Sequence, residues 1–81
     1  MNTVLEDLRE RAGISCSSSL LANELLVLYD QRNDNLISKE EYEFLLQDIA
    51  LVRAQAELAN DEIACRFIVK SIEVLMKFAP I

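Results

Sequence analysis

The chain has 81 residues and a formal net charge of -6, from 8 Lys and Arg against 14 Asp and Glu. Hydrophobic residues make up 52 % of it, Gly and Pro occur once each, and His is absent. This composition excludes collagen-like and disordered chains, the acidic balance argues against binding to nucleic-acid phosphates, and the absence of the commonest general base argues against an enzyme.

The hydrophobic periodicity predicts an all-α fold, a small bundle of about four helices in a single domain over residues 1–81. We expect the first helix from about Val4 to Ala12, because Gly13 is a typical left-handed helix cap. The second helix spans Leu20 to Tyr29. Its only polar residues are Asn23 and Glu24, so we expect almost its whole circumference to be buried.

A third helix is predicted to begin after Ser38, which forms a capping box with Glu41 three residues later. Its main apolar face is Tyr42, Leu45, Leu46, Ile49, Val52, Ala56 and Ala59. The segment Asn60-Asp61-Glu62 leaves two alternatives. Either one helix continues from about Lys39 to Phe78, or the chain breaks there and a fourth helix spans Glu62 to Phe78. We favour the break, because Asn or Asp followed by an acidic residue suits a helix N-terminus.

The segment D30-Q-R-N-D-N-L-I-S-K-E-E41 resembles an EF-hand calcium loop, and the resemblance covers about residues 22–49, within a unit of about 20–50. Alternate positions of such a loop direct oxygen atoms at a hard cation. The ligands that the resemblance implies are the side chains of Asp30, Asp34, Ser38 and Glu41 and the backbone carbonyl of Leu36. The apolar residues of the flanking helices match the family pattern as well, so the resemblance implies a helix-loop-helix, with calcium as a conceivable cofactor.

Two loop positions depart from the EF-hand pattern. Arg32 stands at the third position, where the family has an oxygen ligand, and its charge would repel a dication. Asn35 replaces the usual Gly at the sixth position, but Asn tolerates the left-handed conformation needed there. We therefore expect no cofactor, and favour a metal-free loop in which Arg32 pairs with Asp30, Asp34 or Glu41.

The predicted partner surface lies on the last two helices. Phe44, Leu51 and Leu58 recur every seven residues, on the side opposite Tyr42 and Ile49. This row indicates either a contact with a partner or packing against the first helix. The last helix has only a narrow polar stripe, which suits either a central helix wrapped by the others or a partner surface. The candidate interface residues are Phe44, Leu51, Leu58, Ile72, Leu75 and Met76.

The favoured function is a non-enzymatic module for protein-protein interaction or self-association. The alternatives are a calcium sensor and a small acidic inhibitor of a nucleic-acid enzyme. The second alternative rests on the acidic cluster Glu40, Glu41, Glu43 and Asp48, which could also be a solvated helix start or dock a basic partner. The longest uncharged run, Ala12 to Asn23, is too short to span a bilayer. We expect no membrane binding, a cytoplasmic location and free, mostly buried thiols; the alternative for the thiols is a Cys16–Cys65 disulfide.

Overall fold

The computed structural model describes the backbone of residues 2–14 and 17–77, and their side chains from residue 4 onward. The described residues form helices and no strand, which confirms the predicted all-α class. The helices are α1 (Asn2–Gly13), α2 (Ser19–Asn33), α3 (Lys39–Asp48), a π-helical turn (Ile49–Arg53), α4 (Ala54–Glu57) and α5 (Glu62–Lys77).

Residues 39–57 form one uninterrupted helical rod, because the backbone keeps right-handed helical angles through both junctions of the π turn. The chain then turns at residues 58–60 before α5 begins. This confirms the predicted break. Asp61 caps α5: its Oδ1 accepts a hydrogen bond from the backbone N–H of Ala64 at 3.0 Å. The expected end of that helix, Phe78, lies outside the described residues.

One hydrophobic core joins every helix. Leu8 of α1 and Leu25 of α2 are fully buried against Tyr42 and Leu46 of α3 and Ile68 of α5. The remaining buried apolar residues are Leu5, Leu21, Ala22, Ile49, Ala54, Leu58, Ala64, Ile72 and Leu75. Helix α5 therefore takes the central position that was one of the two alternatives for it.

The π turn changes which residues of the rod face the core. The N–H of Ala54 bonds to the carbonyl of Ile49, five residues back instead of four. One extra residue enters the turn, so the helix after it is rotated by about 100° relative to a continuous α-helix. Between Ile49 and Asn60 the buried residues are consequently Ala54 and Leu58. The predicted face was wrong there, since Val52, Ala56 and Ala59 are exposed.

Helix α2 is less buried than expected. Leu21, Ala22 and Leu25 face the core, but Leu20 and Val27 are exposed. The neighbours of α2 are α1, α3 and α5. These do not enclose its whole circumference, so an apolar strip of α2 stays at the surface.

Candidate interaction surface

Helix α2 and the rod of residues 39–57 border an open groove of about 280 Å³, called here the α2–α3 groove. Its apolar lining comes from Val27 and Leu28 on α2 and from Leu45 and Ile49 opposite. Its polar lining is Asn23, Glu24, Asp48 and Arg53. The groove therefore has an apolar centre and charged groups beside it, which is the common composition of a binding groove.

Arg53 and Glu24 join the two sides of this groove. Arg53 donates through Nη2 to Glu24 Oε1 at 2.8 Å and through Nη1 to Glu24 Oε2. Its Nε donates to Glu57 Oε2 at 3.1 Å. These hydrogen bonds, above all those that Arg53 donates to Glu24, raise the pKa of Arg53 above its ordinary value. The guanidinium is thus held in place, and its charge is balanced by two carboxylates.

Large apolar side chains continue outward from the groove. Phe44 is 67 % exposed and Leu51 is 74 % exposed; they lie within about one turn of Asp48, on the same side of the rod. Val52 follows Leu51, while Leu20 lies two turns before Val27 on the same side of α2. These five exposed residues are called the apolar surface: Leu20, Val27, Phe44, Leu51 and Val52.

The structure separates the six predicted interface residues into three groups: exposed, half-buried and buried. Phe44 and Leu51 are exposed and do not pack on α1, which corrects the alternative considered for them. Leu58 is only 2 % exposed, and Ile72 and Leu75 are also core residues. These three were wrongly placed at an interface: the π turn rotates Leu58 inward, and the central position of α5 buries the other two. Met76 is half-buried against the core.

The loop after α2 is built as a helix C-cap. The N–H of Leu36 bonds to Gln31 O at 2.8 Å, and the N–H of Asn35 bonds to Arg32 O at 3.1 Å. This is the hydrogen-bond pattern of a Schellman motif, which needs a left-handed residue. Asn35 supplies it with φ 58°, at the position where the sequence led us to expect that conformation.

The other end of the loop is the predicted capping box. Glu41 N–H donates to Ser38 Oγ at 3.1 Å, and Ser38 N–H donates to Glu41 Oε1 at 3.3 Å. Arg32 lies between the two ends, where its Nη1 donates to Ile37 O at 3.2 Å and to Asn35 Oδ1 at 3.3 Å. Arg32 therefore donates to a backbone carbonyl oxygen and to the side-chain oxygen of Asn35. The three carboxylates expected as its partners make no salt bridge with it within the described residues.

The proposed metal ligands are not gathered into a metal centre. Asp30 lies in the last turns of α2 and Asp34 at its C-cap, whereas Ser38 and Glu41 bond to each other. Leu36 is an exposed loop residue. Among the described residues no three acidic or Cys side chains form a group that could hold a metal ion. The guanidinium of Arg32 lies inside the same loop, where it donates to Ile37 O and Asn35 Oδ1.

Tyr42 lies beneath the loop, fully buried, and its hydroxyl has no hydrogen-bond partner among the described residues. The Nε of Arg32 is likewise buried without a partner there. Burial raises the pKa of Tyr42 to about 12, with a further contribution from Tyr29. The hydroxyl therefore stays neutral at physiological pH and contributes packing, not charge.

A second groove, called the α1–α5 groove, lies on another side of the bundle. Arg11 stacks over the ring of Phe67, 4.4 Å from its centroid, and the exposed Ile63 lies at the groove as well. At the start of α5, hydrogen bonds from the Ser17 hydroxyl and from a backbone N–H lower the pKa of Asp61. Arg66 and Lys70 also line this groove, so its lining is more positively charged than that of the α2–α3 groove.

Cys65 is a half-buried free thiol that donates to Ala54 O at 3.7 Å. Cys16, the other residue of the disulfide considered above, lies outside the described residues.

None of the helices in the described part of the chain has the length and apolar character needed to cross a membrane. No protein-family model, curated protein or solved structure matches this chain.

Sequence reasoning missed Glu24 and Arg53 as residues of this surface. Arg53 and Glu57 have the spacing of an ordinary helical ion pair, which is a readable signal. Glu24 and Arg53 are 29 positions apart, and no local pattern joins residues so distant in sequence.

Proposed function

We propose that this chain is a non-enzymatic protein-interaction module that binds through the apolar surface and the α2–α3 groove. The observation that carries the proposal is the exposure of Phe44 and Leu51 beside a groove with an apolar centre. Single exposed apolar residues are ordinary, but five of them on the two helical segments that border one groove are typical of an interaction site. The proposal retains Phe44 and Leu51 from the predicted interface on the last two helices, leaves out the α5 residues, and adds residues of α2.

We also propose that the loop is a metal-independent relative of the EF-hand helix-loop-helix. What supports this is the left-handed Asn35 at the sixth loop position and the capping box at the ninth and twelfth positions. In such a helix-loop-helix the Schellman cap and Arg32 hold the loop, so that α2 and α3 keep a fixed relative position. The loop would thereby fix the width of the α2–α3 groove, with no change triggered by a metal ion.

The experiment that tests the interaction is photo-cross-linking in the cells that naturally produce the chain. A photoreactive phenylalanine analogue replaces Phe44 in one variant and Ile63 in a matched control. Ile63 is as exposed as Phe44 but lies at the α1–α5 groove. We expect a discrete protein adduct at position 44 and none at position 63. Equal adduct formation at both positions, or none at either, would contradict the proposal.

A further inference from the structure

We infer that the partner is a basic amphipathic helix of another protein, not a second copy of this chain. The inference rests on the proposed function and adds the chemistry of the occupant. Its basis is the shape of the α2–α3 groove and the uneven charge around it.

The groove runs between two helices. It is lined on α2 between Asn23 and Leu28 and on the rod between Leu45 and Arg53, and the longer of these two stretches is about 14 Å long, at about 1.5 Å per residue. A partner helix of about two and a half turns matches that length. Apolar side chains at helical spacing on such a partner would pack on Val27, Phe44 and Leu51, which is how an amphipathic helix binds in a groove.

The charge around the apolar surface is negative. Asp34 lies on the side of α2 that carries Val27, seven residues after it, and Glu41 lies three residues before Phe44 on α3. The acidic residues on these two helix faces are Asp30, Asp34, Glu40, Glu41 and Asp48. None of the five takes part in a salt bridge within the described residues. The Glu41 carboxylate accepts the Ser38 N–H in the capping box, and the other four carboxylates are available to Lys and Arg on a partner.

The nearby cations do not balance these acids. Arg53 already binds two carboxylates, and Arg32 donates to Ile37 O inside the loop. Lys39 is nine residues from Asp48, which places it on the opposite side of the rod at about 100° per residue. A second copy would bring the same acidic surface and a further net charge of -6, so like charges would oppose self-association through this face.

The test uses two synthetic peptides of about 18 residues with the same stripe of Leu at helical spacing. One peptide has Lys at its polar positions and the other has Glu. Binding to the full chain is followed by fluorescence anisotropy, and the oligomeric state of the chain by sedimentation equilibrium. Phe44→Ser and Asp48→Asn are the test variants. Ile63→Ser and Glu73→Gln make the same kinds of change on α5, away from the groove.

We expect the Lys peptide to bind at least about tenfold more tightly than the Glu peptide. Phe44→Ser and Asp48→Asn should weaken it, and the two α5 variants should leave it unchanged. Equal binding of both peptides, or an equal loss in the α5 variants, would overturn the inference. A dimer that Phe44→Ser dissociates would also overturn it, yet would leave the proposed function standing. A monomer without peptide binding and without a Phe44-specific cross-link would contradict both.

Discussion

Arg53 in the π turn and Glu24 on α2 form a two-pronged ion pair across the α2–α3 groove. Both side chains are about one-third exposed, which places the pair at the edge of the groove. Because Arg53 also bonds to Glu57, its guanidinium is fixed by three hydrogen bonds. The pair therefore ties the π turn to the helix that it faces.

Glu24→Gln should lower the free energy of unfolding by about 0.5–1 kcal/mol, the range for partly exposed ion pairs with good geometry. Arg53→Lys should have a similar effect, because an ammonium group cannot bind both oxygens in the planar geometry of Arg. Urea unfolding measures both. The control is Glu62→Gln, which removes an exposed pair with Arg66 within α5. An equal or larger loss from the control would contradict this account of Arg53.

The π turn predicts which residues in it and just after it matter for stability. Leu58→Ala should cost about 2–4 kcal/mol, because it removes a buried side chain from the core. Val52→Ala should cost less than about 0.5 kcal/mol, because Val52 is largely in solvent. A continuous α-helix in the register expected from the sequence would reverse that order. Thermal unfolding of the two variants distinguishes the two registers.

Much of the fold could be predicted because its signals are local. The Ser38–Glu41 capping box, the break before Asp61 and the left-handed Asn35 each depend on residues within a few positions of one another. The π turn could not be predicted, because nothing in the composition of Ile49–Arg53 differs from an ordinary α-helix. Its hydrogen bond from Ala54 N–H to the carbonyl five residues back occurs together with the burial of Ala54. That burial depends on tertiary packing, which overrides local preference.

The apolar surface was only half predictable for the same reason. The spacing of Phe44 and Leu51 placed them on one face, and the structure exposes both. Leu20 and Val27 were expected in the core, because an apolar helix pattern does not show how many neighbours will cover it. The extent of that coverage depends on how the other helices pack around α2.

The buried hydroxyl of Tyr42 predicts a dependence of stability on alkaline pH. Its pKa rises from 10.0, the ordinary value, to about 12 in the folded chain. Tyr42 therefore ionises more easily in the unfolded chain than in the folded one. Part of the stability that the folded chain has below pH 10 is lost progressively as the pH rises from 10 towards 12, because the unfolded chain releases this proton first. Tyr42→Phe should remove that loss and stabilise the chain by about 1 kcal/mol at neutral pH, because an unpartnered buried hydroxyl disappears.

Urea unfolding at several pH values measures the effect of Tyr42. Tyr29→Phe is the control, since Tyr29 is only half-buried. A chain with Tyr29→Phe should keep most of the alkaline loss of stability, because burial is the main cause of the raised pKa of Tyr42 and Tyr29 is a smaller one. If Tyr42→Phe kept it as well, the loss would come from another group.

The loop predicts that the chain does not respond to calcium until Arg32 is replaced. Arg32→Asp restores an oxygen ligand at the third loop position and removes the repelling charge, so this variant should gain calcium binding. Adding Asn35→Gly should strengthen it, and adding Glu41→Gln should abolish it. Isothermal titration with calcium, with magnesium as the control, measures each variant. Calcium binding by the unchanged chain would contradict the metal-independent loop.

The most direct test of the interaction surface is chemical-shift mapping on the full ¹⁵N-labelled chain as the Lys peptide is added. We predict that the perturbed amides belong to α2 and the rod, with the largest changes around Val27, Phe44 and Leu51. Residues of the α1–α5 groove should be unaffected. Changes centred on Ile63 and Lys70, with none at Phe44, would contradict the claim that this chain binds its partner through the α2–α3 groove.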